Sequence, residues 1–174
     1  MQADELGQHP DAQALGEYLT QHSGWVVTAE SCTGGLIGGA LTSVVGSSGW
    51  FDRGWITYTN RAKQEQLGVA EQTIEDFGAV SEPVARQMAA GALAMAPKAT
   101  LAIAVTGIAG PGGGSVTKPV GLVWIGFAKR TQEDVVVSSV HQVFEGNRQA
   151  VRQATVEFAL RQALAWLSDT QSPD

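Results

Sequence analysis

The stretch Ala99–Ser115, ATLAIAVTGIAGPGGGS, decides the fold. Residues 99–106 form a near-continuous apolar run without the alternation of a half-exposed strand, the pattern of a central strand covered on both faces. The run empties into 107–114, the most glycine-dense segment of the chain. A strand covered on both faces needs helices on either side, and in open α/β sheets ligands bind where such strands end. Thr106 and Gly107 stand at that exit with a hydroxyl and flexible backbone N–H groups, and the glycines beyond them permit close approach of a ligand. A long turn into the next strand accounts for these glycines equally well.

Outward from this run the chain alternates between helical and extended patterns. On the N-terminal side, Ala12, Leu15 and Leu19 give residues 10–22 a helical spacing, and Gly24 ends the segment before a strand over 25–28. Residues 36–45 suit a buried helix that stops at the turn formers 46–49. GWITYT, residues 54–59, reads as a strand, with Asn60 as N-cap of a helix over 61–67 that Gly68 terminates. Ser81 is the next N-cap, Pro83 sits in the tolerated first turn, and an Ala/Met-rich helix follows to about Ala96. On the C-terminal side, 120–128 and 134–144 read as a hairpin around a polar turn at 129–132. A last helix covers 147–167, and SDTQSPD is a frayed tail. The predicted fold class is α/β, a three-layer α/β/α sandwich with a mixed, mostly parallel sheet. One domain is expected over residues 10–167, with a flexible lead at 1–9 and a flexible tail at 168–174.

Composition narrows the class further. At 174 residues the chain suffices for one continuous core, and 44% hydrophobic against 16% charged residues implies elements buried on more than one side. The formal net charge is -6 and the eleven Lys and Arg residues form no run, which disfavours nucleic acid as a partner. With one cysteine no internal disulfide can form. The start MQADELGQHPDAQ has neither a basic n-region nor an apolar h-region, and no run is long enough to span a membrane, so a soluble cytoplasmic protein is expected. The apolar content and five tryptophans make a homodimer or larger assembly the expectation.

Familiar catalytic templates do not fit. GPGGGS lacks the ending of a P-loop, AESCT lacks the flanking glycines of a nucleophile elbow, and the three histidines, His9, His22 and His141, are too far apart for a metal set or an obvious triad. Any base must therefore be something other than histidine. Ser31 follows a predicted strand and precedes a helix, where free N–H groups of Thr33, Gly34 or Gly35 could hold an oxyanion or a phosphate. The plainer alternative is that Ser31 or Thr33 caps the helix and the glycines allow close packing. In Tyr58–Lys63, YTNRAK, an N-cap at Asn60 puts Arg61 and Lys63 in a first turn that disfavours cations. That setting lowers a lysine pKa towards a general base, with Tyr58 placed to share the proton; solvated surface charges are the alternative. Arg148 again sits in a first turn, a position that suits a held anion. Cys32 lacks a base partner and is expected to pack as a small apolar group, so of the two side chains the hydroxyl of Ser31 is the better candidate.

Taken in order and spacing, AESCTGG, GSSGWFDRGWITYTNRAK, GAVSEPVARQMA, AVTGIAGPGG, KPVGLVWIGF and FEGNRQAVR resemble the CinA C-terminal domain family, over roughly residues 10–167. The resemblance implies hydrolysis of the carboxamide of nicotinamide mononucleotide to nicotinate mononucleotide and ammonia, with no metal or other cofactor. The family's serine, lysine and tyrosine fall on Ser31, Lys63 and Tyr58. Beside these three, the residues themselves suggest oxyanion donors after Ser31 or at Thr106 and Gly107, Arg148 with Ser48 for the substrate phosphate, and Asn60 and Glu30 to order the site. Longer members of the family carry a further N-terminal domain whose functions are not carried over. Two other functions stand beside this one, a nucleotide-binding regulatory module without useful catalysis and an amidase for another small amide.

Overall fold

The computed structural model describes residues 7–169. Along the chain lie α1 (Pro10–Gln21), β1 (Val26–Glu30), α2 (Leu36–Thr42), a 3-10 turn (Ser47–Gly49), β2 (Phe51–Ile56) and α3 (Asn60–Leu67). They are followed by α4 (Glu71–Phe77), α5 (Glu82–Met95), β3 (Leu101–Gly107), β4 (Leu122–Arg130), β5 (Val135–Val143) and α6 (Arg148–Asp169). The five strands form one sheet in the order β2-β1-β3-β4-β5.

β3 is the central strand that its sequence implied, and its side chains divide by size. Leu101, Ile103 and Val105 join the core beneath α1, α2 and α6, whereas Ala102 and Ala104 face the core beneath α3, α4 and α5. Small residues on the second face let α5 approach closely: a Cβ at Gly126 of β4 would stand 2.2 Å from the Ala85 carbonyl oxygen. The two cores on opposite faces make the three-layer sandwich.

The sheet is not mostly parallel, and here the expectation is corrected. β1 runs parallel to β2 and β3, while β4 is antiparallel to both β3 and β5. A parallel neighbour requires a crossover, usually helical. The link from β3 to β4, residues 108–121, has no helix, so the chain turns back beside β3.

Other boundaries move for local reasons. β2 starts at Phe51 because that residue pairs with Val26 at the start of β1. α3 is capped by Thr59, whose hydroxyl accepts from the Ala62 amide at 3.1 Å, and not by Asn60. α4 was not expected. Gln8 and His9, in the expected lead, bond to Val45 and Ser43. α6 continues through Ser168 and Asp169; residues 1–6 of the lead and 170–174 of the tail lie outside the described residues. Among the described residues no helix is long and apolar enough to cross a membrane.

Candidate active site

Strand β1 carries the chain through the core to Glu30, and the next residue, Ser31, leaves the sheet at its edge. The Ser31 amide still bonds the Val105 carbonyl at 3.1 Å, but its own carbonyl accepts from Gly34 at 3.1 Å, which closes a turn into α2. The Glu30 carboxylate is buried beneath that turn. It accepts from the Thr33 hydroxyl at 2.6 Å and from the amides of Ile37 and Gly38 at 2.8 and 3.0 Å. Glu30 thus supplies α2 with the acceptors that its N-terminal amides lack within the helix.

Lys63 comes to the same place from α3. With Thr59 as cap it is the fourth helical residue, and its side chain runs inward, leaving only 1% of the residue exposed. Its Nζ lies 2.9 Å from Ser31 Oγ, 2.9 Å from the Thr57 carbonyl and 3.4 Å from the Tyr58 carbonyl. No carboxylate pairs with it among the described residues. Burial pulls the ammonium from its usual 10.5 down to about 8. The cause differs from the one expected: Arg61 is exposed and pairs with Glu65 at 2.6 Å, so desolvation and not a neighbouring cation lowers Lys63.

The Ser31–Lys63 pair opens into a cavity of about 260 Å³ whose walls include Ser31, Cys32, Tyr58, Asn60, Lys63, Thr106, Gly107 and Arg148. The Tyr58 ring stands at the rim, and its hydroxyl accepts from Arg148 Nη2 at 2.9 Å, while Nη1 donates to the Gly110 carbonyl at 2.9 Å. The hydroxyl of Thr106 donates to the Ala79 carbonyl at 2.9 Å. Ile108 bonds β4 through Leu122, so the preceding amide of Gly107 faces the β1 side of the sheet, where β1 has ended. The amide of Cys32 makes no hydrogen bond to a backbone carbonyl among the described residues. Its thiol is 6% exposed and packs into the core, and burial pushes it up to about 11. It is therefore a neutral thiol at pH 7.

Some expected residues lie elsewhere. Glu30, Thr33, Gly34 and Gly35 form the turn behind Ser31 and not the cavity wall. Ser48 lies just before β2, whose first residue pairs with Val26 at the opposite end of β1 from Ser31, so it is separated from Arg148 by the length of the strand. The sequence reading overlooked Arg152, which donates through Nε to the Cys32 carbonyl at 3.0 Å and through Nη2 to the Thr33 carbonyl at 3.4 Å. Its four-residue spacing from Arg148 on one helix is the signal that was available. A larger groove of about 700 Å³ between the start of α1, α2 and α6 is lined by Leu36, Ala40, Ser43 and Val156, and contains no paired nucleophile and base. Among the described residues no three His, Cys, Asp or Glu side chains cluster as a metal set.

The fold and the site define an α/β sandwich protein with a buried serine–lysine pair where its central strands end. The chain belongs to the CinA family, matching the CinA C-terminal domain over residues 8–167. It is 51% identical over 156 residues to the nicotinamide-nucleotide amidohydrolase PncC of Enterobacter agglomerans, covering 90% of this chain and 93% of that protein. It is 45% identical over 150 residues to the nicotinamide-nucleotide amidohydrolase PncC of Escherichia coli K12, covering 86% and 88%. The crystal structure of the competence/damage inducible protein CihA from Agrobacterium tumefaciens superposes with a TM-score of 0.83 at 47% identity, covering 90% of this chain and 93% of that one.

Proposed function

We propose that this chain is a nicotinamide-nucleotide amidohydrolase, converting the carboxamide of nicotinamide mononucleotide to the acid with release of ammonia, and that Ser31 is the nucleophile with Lys63 as its base. The observation that carries the reading is the buried contact of Lys63 Nζ with Ser31 Oγ at 2.9 Å. The names of the two PncC relatives supply the substrate.

A neutral amine keeps two N–H groups, which the Thr57 and Tyr58 carbonyls accept, and turns its lone pair to the serine proton. Ser31 Oγ then attacks the amide carbon as its proton passes to Lys63. The amides of Cys32 and Gly107, two residues of the cavity wall, are assigned as donors to the developing oxyanion. Lys63 returns the proton to the departing nitrogen, ammonia leaves, and water, deprotonated by the same amine, releases the acid from the acyl-enzyme. Tyr58, whose hydroxyl oxygen accepts from Arg148, keeps its O–H free to hydrogen-bond the substrate at the cavity rim.

At about 260 Å³ the cavity suits the ring and carboxamide better than a whole nucleotide. The ribose phosphate then lies over the rim at Arg148, with Asn60 also on the cavity wall, and Ser48 has no part. Residues 10–167 act as the catalytic unit, in the cytoplasm. The chain also forms a homo-oligomer in this reading: among the described residues edge strand β5 pairs with β4 alone, and it exposes Val135, Val136 and Val143. Light scattering on the purified chain checks it.

The deciding experiment measures ammonia release from nicotinamide mononucleotide, its nucleoside and the free base, with Ser31→Ala and Lys63→Ala as controls. Turnover of the mononucleotide, lost in both variants and much weaker without the phosphate, is expected. Binding without turnover by well-folded protein would establish the regulatory-module reading instead.

A further inference from the structure

We propose that Arg152 is a positioning residue for this reaction: from α6 its guanidinium holds the carbonyls of Cys32 and Thr33, and so fixes the turn that presents Ser31 and the Cys32 amide to the cavity. The proposal rests on Ser31 being the working nucleophile.

The turn at 31–35 is weakly determined by itself. Gly34 and Gly35 adopt φ of +55° and +103°, α2 begins without a side-chain cap at Gly35, and the only backbone bonds inside the turn run from Gly34 to Ser31 and from Leu36 to Thr33. Glu30 holds the Thr33 hydroxyl from beneath, and Arg152 holds the carbonyls of the turn from the other side, across 120 positions of sequence. A trans peptide is planar, with its C=O and N–H pointing in opposite directions. Drawing the Thr33 carbonyl towards Arg152 therefore drives the Gly34 N–H the other way, onto the Ser31 carbonyl, where the 3.1 Å bond is found. Ser31 is then gripped on both sides, by Val105 at its amide and by Gly34 at its carbonyl.

The same helix face also holds the rest of the site. Arg148, one turn earlier, holds the Tyr58 hydroxyl and the Gly110 carbonyl. The first two turns of α6 thus tie together three loops that come from distant parts of the sequence. Arg152 does not line the catalytic cavity; it borders a neighbouring one of about 310 Å³ with Arg148, Gln149, Gln153 and Leu36. A phosphate-binding role for it would use that second cavity, and the two roles leave different kinetic signatures.

The test compares wild type, Arg152→Lys, Arg152→Gln and Ser31→Ala by steady-state kinetics and by the labelling rate of a fluorophosphonate, in which Ser31 Oγ displaces fluoride from phosphorus and its proton passes to Lys63. A shift of about an ångström in a reacting group costs on the order of 10²-fold in rate. Arg152→Gln is expected to lower kcat and the labelling rate by about that factor with KM within about twofold, and Arg152→Lys to recover part of both. Should Arg152→Gln fail to fold, the Arg152→Lys comparison decides. A raised KM with unchanged kcat and labelling overturns the proposal in favour of phosphate binding, and equal labelling in all Arg152 forms overturns it outright. If wild type labels without hydrolysing the nucleotide, the substrate assignment fails while the labelling rates still judge Arg152. If wild type does neither, both fall.

Discussion

Lys63 Nζ and Ser31 Oγ meet at 2.9 Å although 32 residues separate them, and both are almost fully withdrawn from solvent. The contact joins the end of β1 to the first turns of α3, two elements brought together by the parallel pairing of β1 with β2.

Because Lys63 titrates near 8, only about a tenth of it is neutral at pH 7. The kcat/KM for the mononucleotide is expected to rise about tenfold per pH unit below 8 and to level off above it. A profile measured from pH 6 to 10 that is flat through this range would remove Lys63 as the base.

The same titration affects stability. The folded pKa of Lys63 lies below its usual 10.5, so its stabilising contribution is complete above 10.5 and is lost as pH falls through about 8. Urea unfolding of wild type and Lys63→Met should show the variant gaining, relative to wild type, at most about 3 kcal/mol between pH 10.5 and pH 7. Its activity should fall by at least about 10²-fold.

Cys32 stands beside Ser31 as a buried neutral thiol. Cys32→Ala should retain most activity, and iodoacetamide at pH 7 should leave the enzyme active. Ser31→Cys should lose most of it, since a larger atom of different acidity replaces the hydroxyl. Inactivation by the reagent at a rate matching modification of Cys32 would reverse the assignment of the two side chains.

Glu30 is expected to act through α2. Glu30→Gln puts an amide NH2 against either the Thr33 hydroxyl and Ile37 amide or the Gly38 amide, all of which need an acceptor. A loss of about 1–3 kcal/mol is expected, read as a lower melting temperature.

The central layer and the place of Ser31 at the end of a strand were legible because each depends on local pattern. β3 announces itself by an unbroken apolar run, and Ser31 by its position between a strand and a helix. Strand direction was not legible, since it depends on whether residues 108–121 contain a helix, and a glycine-rich loop can close either topology. α4 was missed because it buries only Ile74 and shows no apolar stripe. The N-cap was placed one residue late because Thr59 and Asn60 are both good caps in adjacent positions. Lys63 was found for a reason that the fold replaces: the sequence pointed to a helix end, whereas burial without a counter-ion sets its chemistry. Ser48 looked eligible as a small polar residue in a turn, but strand register carries it to the opposite end of the sheet. Arg152 acts on backbone carbonyls, which have no signature in side-chain type, so its spacing from Arg148 alone marked it.

β1 stops at Glu30 while β3 continues to Gly107, and the Ser31 carbonyl, which a longer β1 would offer to that amide, is turned aside to Gly34. The site is thus a gap in an otherwise continuous ladder, and the folded chain competes with a slightly more complete sheet in which the same residues close the gap. Glycine at 34 and 35, with φ of +55° and +103°, tilts that competition towards the open form. A side chain at either position would therefore favour self-occlusion, a loss of function that leaves every catalytic side chain in place.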